Sequence, residues 1–142
     1  EMVPVINMFK SQAIQQTSGL LVYNIVKGSG PKPRAGATVK LNYEGYFTDG
    51  KLFGTNVKTI DEKCGTYDAR KEQRGGYGAM PMKIDPEAKM IPGFKEGVLN
   101  MSVGDKTFLY LPYHLAYGEK GAGPIKPNSD LVFIVEILEV VE

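Results

Sequence analysis

The chain is poor in the residues that most often carry chemistry. Its 142 residues include one cysteine and one histidine. A lone Cys64 excludes an internal disulfide. It fits a reducing compartment only loosely, so the compartment stays open, with a cytoplasmic setting slightly favoured over a periplasmic one. With His114 as the single imidazole, any Ser-His-Asp triad would have to use it, and no serine sits in a GxSxG turn. Asp61, Glu62, Cys64 and Asp68 have the wrong donors and spacing for a transition-metal site, and no EF-hand loop is present. The GEKGAG run lacks the closing Gly-Lys-Ser/Thr of a phosphate loop. No run approaches the roughly 18 apolar residues of a membrane span. Charge is nearly balanced at +1. There is no basic block to argue for nucleic acid and no acidic tail.

The length most simply fits one domain, and a chain of roughly 150 residues buries about 70% of its unfolded surface without needing a staple. What is abundant is apolar patterning interrupted by glycine and proline. Residues 131–140, LVFIVEILEV, read as a long strand. Leu131, Phe133, Val135 and Ile137 share one face, and Val132, Ile134, Leu138 and Val140 the other. A strand apolar on both faces lies deep in a sheet and is covered on at least one side. The loop before it, YGEKGAGPIKPNSD, places Ile125 among turn residues, where it needs core or a bound partner to touch.

In VKLNYEGYFTDGKLF, residues 39–53, Val39, Leu41, Tyr43 and Phe47 alternate with polar residues and put Tyr43 on an inner face. Asp49-Gly50 marks a hairpin, with the return strand starting at Lys51-Leu52-Phe53. MIPGFKEGVLNMSVGDK, residues 90–106, predicts a short helix with Pro92 in its first turn and Phe94, Val98 and Met101 on one stripe.

These motifs, NYEGYFTDGKLF, MIPGFKEGVLNMSVGDK and LPYHLAYGEKGAGPIKPNSDLVFIVEILEV, occur in this order with compatible spacing. Together they resemble the FKBP-type peptidyl-prolyl isomerases over about Ser18 to Glu142, apart from an insert at about residues 57–80. The resemblance implies an α+β fold, a twisted antiparallel sheet (half-barrel) wrapped around one short helix. It also implies isomerisation of X-Pro bonds in peptides and unfolded protein chains, with no cofactor, no metal and no covalent intermediate. Position by position, it implies a pocket with Tyr43 and Phe53 as one wall, Phe94 as floor where compact members often have tryptophan, and Tyr117 as hydroxyl donor. Phe133 and Ile125 close the far side, and Met82, Met90 and Ile91 complete the substrate contacts. Tacrolimus- or rapamycin-type macrolides are implied ligands. Two departures bear on this: Gly54 stands where the family usually has an aspartate, which weakens macrolide binding, and Met82 replaces a usual aromatic. The alternative is a module that binds a proline segment or a partner with little turnover.

Two segments fall outside the compact family pattern. Residues 1–18 read as an N-terminal helix or linker, with Ile6, Phe9, Ala13 and Ile14 on one face. The helix either packs on its own domain or leads from an upstream domain. The first residue is Glu1, not Met, which suggests processing, trimming or excision from a longer chain. The insert is charged and glycine-rich, and a loop of that length is usually functional or has structure of its own. Asp68 to Arg74 could form about two helical turns closed by Gly75-Gly76. The insert is then either a solvated excursion with Tyr67 and Tyr77 pinned to the domain edge, or a rim to the pocket.

Overall fold

The computed structural model describes residues 2–34, 36–78, 80–83, 91–123 and 125–141, without the side chains of residues 80, 82 and 141. The described residues form seven strands: β1 (Ile14–Gln15), β2 (Leu21–Val26), β3 (Thr38–Phe47), β4 (Leu52–Thr55), β5 (Met80–Lys83), β6 (Lys106–Leu111) and β7 (Leu131–Val141). The helices are α1 (Met2–Gln12), α2 (Lys58–Lys63), α3 (Ala69–Gln73) and α4 (Pro92–Leu99), with a 3-10 turn at Tyr113–Leu115. All strands join one antiparallel sheet in the order β1-β2-β6-β7-β3-β4, and β5 lies beside the first half of β3. The sheet wraps α4 on one face, the α+β arrangement that the sequence motifs imply.

β7 is apolar on both faces because both are covered. It pairs with β6 on one side and β3 on the other. Leu131, Phe133, Val135 and Ile137 join the cluster around α4. Val132 and Ile134 join a second cluster under α1. The simple alternation fails near the end. Lys40 pairs with Glu139 and Leu41 with Ile137, so Leu138 is an extra residue in the ladder. A one-residue bulge flips the faces that follow it. Val140 therefore packs with the α4 cluster and Leu138 is exposed, contrary to the period-two reading.

The first helix packs against its own sheet. Ile6 is buried, and the Phe9 ring stacks on Tyr23 at 5.4 Å and tilts against Phe108 at 5.5 Å. It ends at Gln12, earlier than the apolar spacing suggests. Ile14 belongs to β1, paired with Val22, and is 71% exposed. The turn at Gly19, where φ is +101°, reverses the chain from β1 into β2.

α4 starts at Pro92, as its sequence predicts, and buries Phe94 and Val98, with Met101 buried just past its end. Its glycines explain why it sits so close to the sheet. A Cβ on Gly93 would lie 2.6 Å from Leu111 Cγ, and one on Gly97 would lie 2.5 Å from Leu109 Cδ1. Glycine inside a helix costs about 1 kcal/mol against alanine. Here that cost is offset by a close approach that brings Phe94 down onto the sheet.

The β3–β4 turn closes at Asp49-Gly50, with φ of +89° at Gly50 and the Asp49 carboxylate accepting the Lys51 N–H at 3.0 Å. Beyond β4 the chain forms the insert. α3 is shorter than the span from Asp68 to Arg74: Asp68 is its N-cap, accepting the Arg70 N–H at 2.8 Å, and Gly75 follows its end at φ +74°, as expected. α2 was not legible, for it has no side-chain cap. The insert is organised around one buried carboxylate. Asp61 is 4% exposed and accepts from the Thr66 and Tyr77 hydroxyls, each at 2.6 Å, and from Lys71 Nζ at 3.1 Å. Burial pushes the Asp61 carboxyl up, but these donors outweigh it and hold it below its ordinary range. Tyr67 and Tyr77 stack at 5.8 Å. The segment thus has hydrogen-bonded structure of its own, while most of its residues face solvent.

Candidate functional site

The inner face of the sheet, opposite α4, gathers aromatic rings from four elements. β3 supplies Tyr43, β4 Phe53, α4 Phe94 and β7 Phe133. Phe133 is the hub. Its ring lies 5.1 Å from Phe94 and 5.5 Å from Phe53, both edge-to-face, and 6.5 Å from Tyr43. Tyr43 in turn meets Phe94 edge-on at 6.5 Å. Such geometries suit the ring quadrupoles and contribute beyond area burial. Tyr43 and Phe53 are only partly buried, so the cluster opens to the outside on their side.

Two contributors lie outside the pocket positions that the family resemblance implies. Phe47 packs its ring on Phe53 at 5.2 Å and extends the wall. Gly45 lies under the rings: a Cβ there would sit 2.6 Å from Phe53 Cζ and 3.0 Å from Phe133 Cε1. Glycine inside a strand commonly marks such an approach, and that was the available signal.

The remaining positions fall around this cluster. Ile125 is buried in the same core, held by a tight turn in which Ala122 and Ile125 exchange backbone hydrogen bonds at 2.8 and 2.9 Å. Ile91 caps α4 and is half-buried against the cluster. Met82 pairs with Val39 through β5, and its side chain lies outside the described residues, as does all of Met90. Tyr117 is 39% exposed and shares no ring contact with the other four. Its loop is fixed by Gly118, whose N–H donates to the Tyr113 carbonyl at 2.9 Å, and by Asp130, whose carboxylate accepts the Tyr113 N–H at 2.8 Å.

Electrostatics tie Tyr117 and the insert to Tyr43. Burial raises the Tyr43 phenol above its ordinary value, and the proximity of Tyr117 and then of Asp61 raises it further. Gly54 leaves space there. A Cβ at Gly54 would meet only Tyr43 Oη, at 3.8 Å. A carboxylate at this position would face that hydroxyl. Of the aspartates that could replace it, Asp49 is engaged at its hairpin, Asp61 is saturated by three donors and Asp85 lies outside the described residues.

His114 is outside the pocket, its Nε2 paired with the Ser18 carbonyl at 3.0 Å. Among the described residues, no group of histidine, cysteine and acidic side chains is placed to hold a metal ion, and no helix is long and apolar enough to cross a membrane.

The chain is similar in sequence and fold to known proteins. FkpA of Aeromonas hydrophila, an FKBP-type peptidyl-prolyl cis-trans isomerase, is 38% identical over 132 residues, covering 92% of this chain and 42% of the relative. This chain thus spans less than half of that relative's length. FK506-binding protein 1 of Aspergillus oryzae is 36% identical over 118 residues, covering 82% of this chain and 93% of the relative. The crystal structure of a peptidyl-prolyl cis-trans isomerase from Pseudomonas syringae superposes with a TM-score of 0.71 at 26% identity, over 99% of this chain and 93% of that one. The model of the FKBP-type peptidyl-prolyl cis-trans isomerase family matches residues 30–138. With the motifs, the sheet around α4 and the relatives in agreement, this chain belongs to the FKBP-type peptidyl-prolyl cis-trans isomerase family.

Proposed function

We propose that the aromatic cup isomerises X-Pro bonds in peptides and unfolded chains, without a covalent step. The observation that carries this reading is the convergence of Tyr43, Phe53 and Phe94 on Phe133, with no charged side chain among them. An X-Pro amide is planar because of resonance, and it exchanges unaided in tens to hundreds of seconds. Twisting it breaks the conjugation and reduces its charge separation. A poorly solvating pocket therefore favours the twisted form over the planar one. Lowering the barrier by about 5 kcal/mol gives several thousandfold acceleration. Differential binding of the twisted form supplies it.

In this reading Phe94 is the floor under the proline ring, Phe53 and Phe133 are the walls, and Ile91 and Ile125 shape the ends. Met82 and Met90 complete the contacts. Tyr117 at the rim donates its hydroxyl to a substrate carbonyl. Tyr117→Phe keeps the ring and should leave stability within about 0.5 kcal/mol, as exposed substitutions usually do. It should weaken binding of a short proline peptide severalfold, as expected for one hydrogen bond of about 0.5–1.5 kcal/mol. Titration of the peptide against parent and variant checks this, and equal affinity would remove Tyr117 from the donor role.

Tacrolimus- and rapamycin-type macrolides would enter the same cup, with affinity reduced because Gly54 offers no carboxylate beside Tyr43. That same vacancy favours a second reading, in which the cup holds a proline segment or partner with little turnover. A proline-limited refolding assay separates the two, since only an enzyme shortens the slow phase at substoichiometric concentration.

A further inference from the structure

β3 has a gap in its neighbours at the residue that matters most to the cup. Along this edge β5 pairs with Thr38 to Leu41 and β4 pairs with Glu44 to Tyr46. Tyr43 has no paired residue on either strand, and from the backbone only the Asn56 N–H, one residue past β4, reaches its carbonyl, at 3.4 Å. A buried backbone group left without a partner is costly, yet Tyr43 is held on both sides. Its N–H donates to Asn56 Oδ1 at 2.8 Å, and its carbonyl accepts the Thr55 hydroxyl at 2.6 Å.

Asn56 does more than fill one bond. It is 3% exposed, and its Nδ2 donates to the Leu41 carbonyl at 2.8 Å and to the Gly78 carbonyl at 3.1 Å. Its own carbonyl accepts the Gly78 N–H at 2.9 Å. A side-chain amide has the same donor and acceptor as a peptide group, so Asn56 imitates a residue of the missing strand. It also joins the two ends of the insert, for Asn56 begins the segment and Gly78 closes it. The same residue thus grips the backbone of a cup wall and fastens the insert shut.

We infer that Asn56 is the positioning residue for Tyr43 and the joint through which the insert bears on the pocket. This rests on the reading of the cup as the site of X-Pro turnover. Asn56 touches no substrate. It sets where the Tyr43 ring stands, and a loosened insert would move that ring through it. The signal in the sequence was slight: one asparagine at the end of a short strand, where it reads as a turn residue.

A double-mutant cycle on the whole chain tests the assignment, reading kcat/KM on a short X-Pro peptide. Asn56→Ala should lower it about tenfold, the scale of one well-made buried hydrogen bond. In a Tyr43→Ala background, Asn56→Ala should cost little more, since residues acting through one another are not additive. Ile6→Ala, which loosens α1 on the opposite face, is the control for lost stability and should leave kcat/KM within about twofold, as distant independent sites do. Losses that multiply in the double variant, or an Asn56→Ala enzyme as active as the parent, would overturn the inference. A Tyr43→Ala protein with unchanged turnover would instead refute the cup reading, and the inference with it. If Asn56→Ala fails to fold, native-state amide exchange on the unaltered protein decides. The Tyr43 and Gly78 amides, both bonded to Asn56, should open together. Opening with clearly different free energies would overturn the coupling.

Discussion

Phe133→Ala is expected to be among the most damaging single changes in this chain, lowering the unfolding free energy by about 3–5 kcal/mol. Phe133 is 5% exposed and sits between the rings of Tyr43, Phe53 and Phe94. It also lies on the central strand, paired with Gly45 on one side and Leu109 on the other. Truncation would leave a void that the sheet cannot close, because both neighbouring strands are fixed by their own ladders. Denaturant unfolding would show a lower midpoint with an unchanged slope. Turnover should fall even where the variant is fully folded, since the cup loses the ring on which the others converge. Phe133→Leu should recover part of the stability and little of the activity. A loss below about 1 kcal/mol would mean that the site collapses and that Phe133 is not the hub.

Gly45→Ala should be nearly as harmful to turnover for the opposite reason. The new methyl would lie 2.6 and 2.9 Å from Phe53 Cζ and Cε1 and 3.0 Å from Phe133 Cε1. Neither ring ends in a flexible chain, so both must move together. Overpacking of this kind costs about 1–3 kcal/mol. The activity loss should be larger than the stability loss suggests, because the displaced rings are the walls of the cup. A misplacement of about 1 Å can cost on the order of a hundredfold in rate. Gly54→Ala on the neighbouring strand is the matched control. It meets only Tyr43 Oη at 3.8 Å and should change stability little. If Gly45→Ala matches the parent in both unfolding and peptide turnover, the rings are not held where the structure places them.

What could be read from the sequence followed from local periodicity. The two-faced β7, the hairpin at Asp49-Gly50, α4 with Pro92 in its first turn, and α3 behind Asp68 all carry their signal within a few residues. Tyr43, Phe53, Phe94 and Phe133 are spread over four elements, and the resemblance to a known family gathered them, not their spacing. The misses have a common physical origin. The bulge at Leu138 depends on how β3 and β7 align, and no local pattern records it. α2 is short and lacks a cap, and it is held by Asp61 meeting Thr66, Lys71 and Tyr77, which only folding brings together. Asn56 looks like a turn residue until the gap between β4 and β5 is visible. Gly45 looks like a defect in a strand until two phenylalanine rings are seen against it.

The insert illustrates the same division. Its composition suggested a solvated loop as readily as a rim. Yet its one buried carboxylate is fully partnered, and Lys71 also donates to the Thr55 carbonyl beside the cup. It is held by contacts with β4 and within itself, and it is tied to the end of β4 through Lys71 on the Thr55 carbonyl and through Asn56 on Gly78.

A cup that works by shape and poor solvation, and not by proton transfer, should turn over at a rate that follows no titration near neutral pH. The most direct measurement is kcat/KM for a short X-Pro peptide between pH 6 and 8, with and without a chelator. The groups that define the cup are apolar except for the Tyr43 and Tyr117 phenols. Burial, then the proximity of Tyr117 and Asp61, raises the Tyr43 value, so that hydroxyl stays neutral throughout this range, and any loss from its ionisation begins only above its ordinary value of about 10. His114, the single imidazole, is bound to the Ser18 carbonyl outside the cup. The predicted profile is flat and indifferent to chelator. A bell-shaped or sloping profile within this window, or activity lost on chelation, would contradict the account.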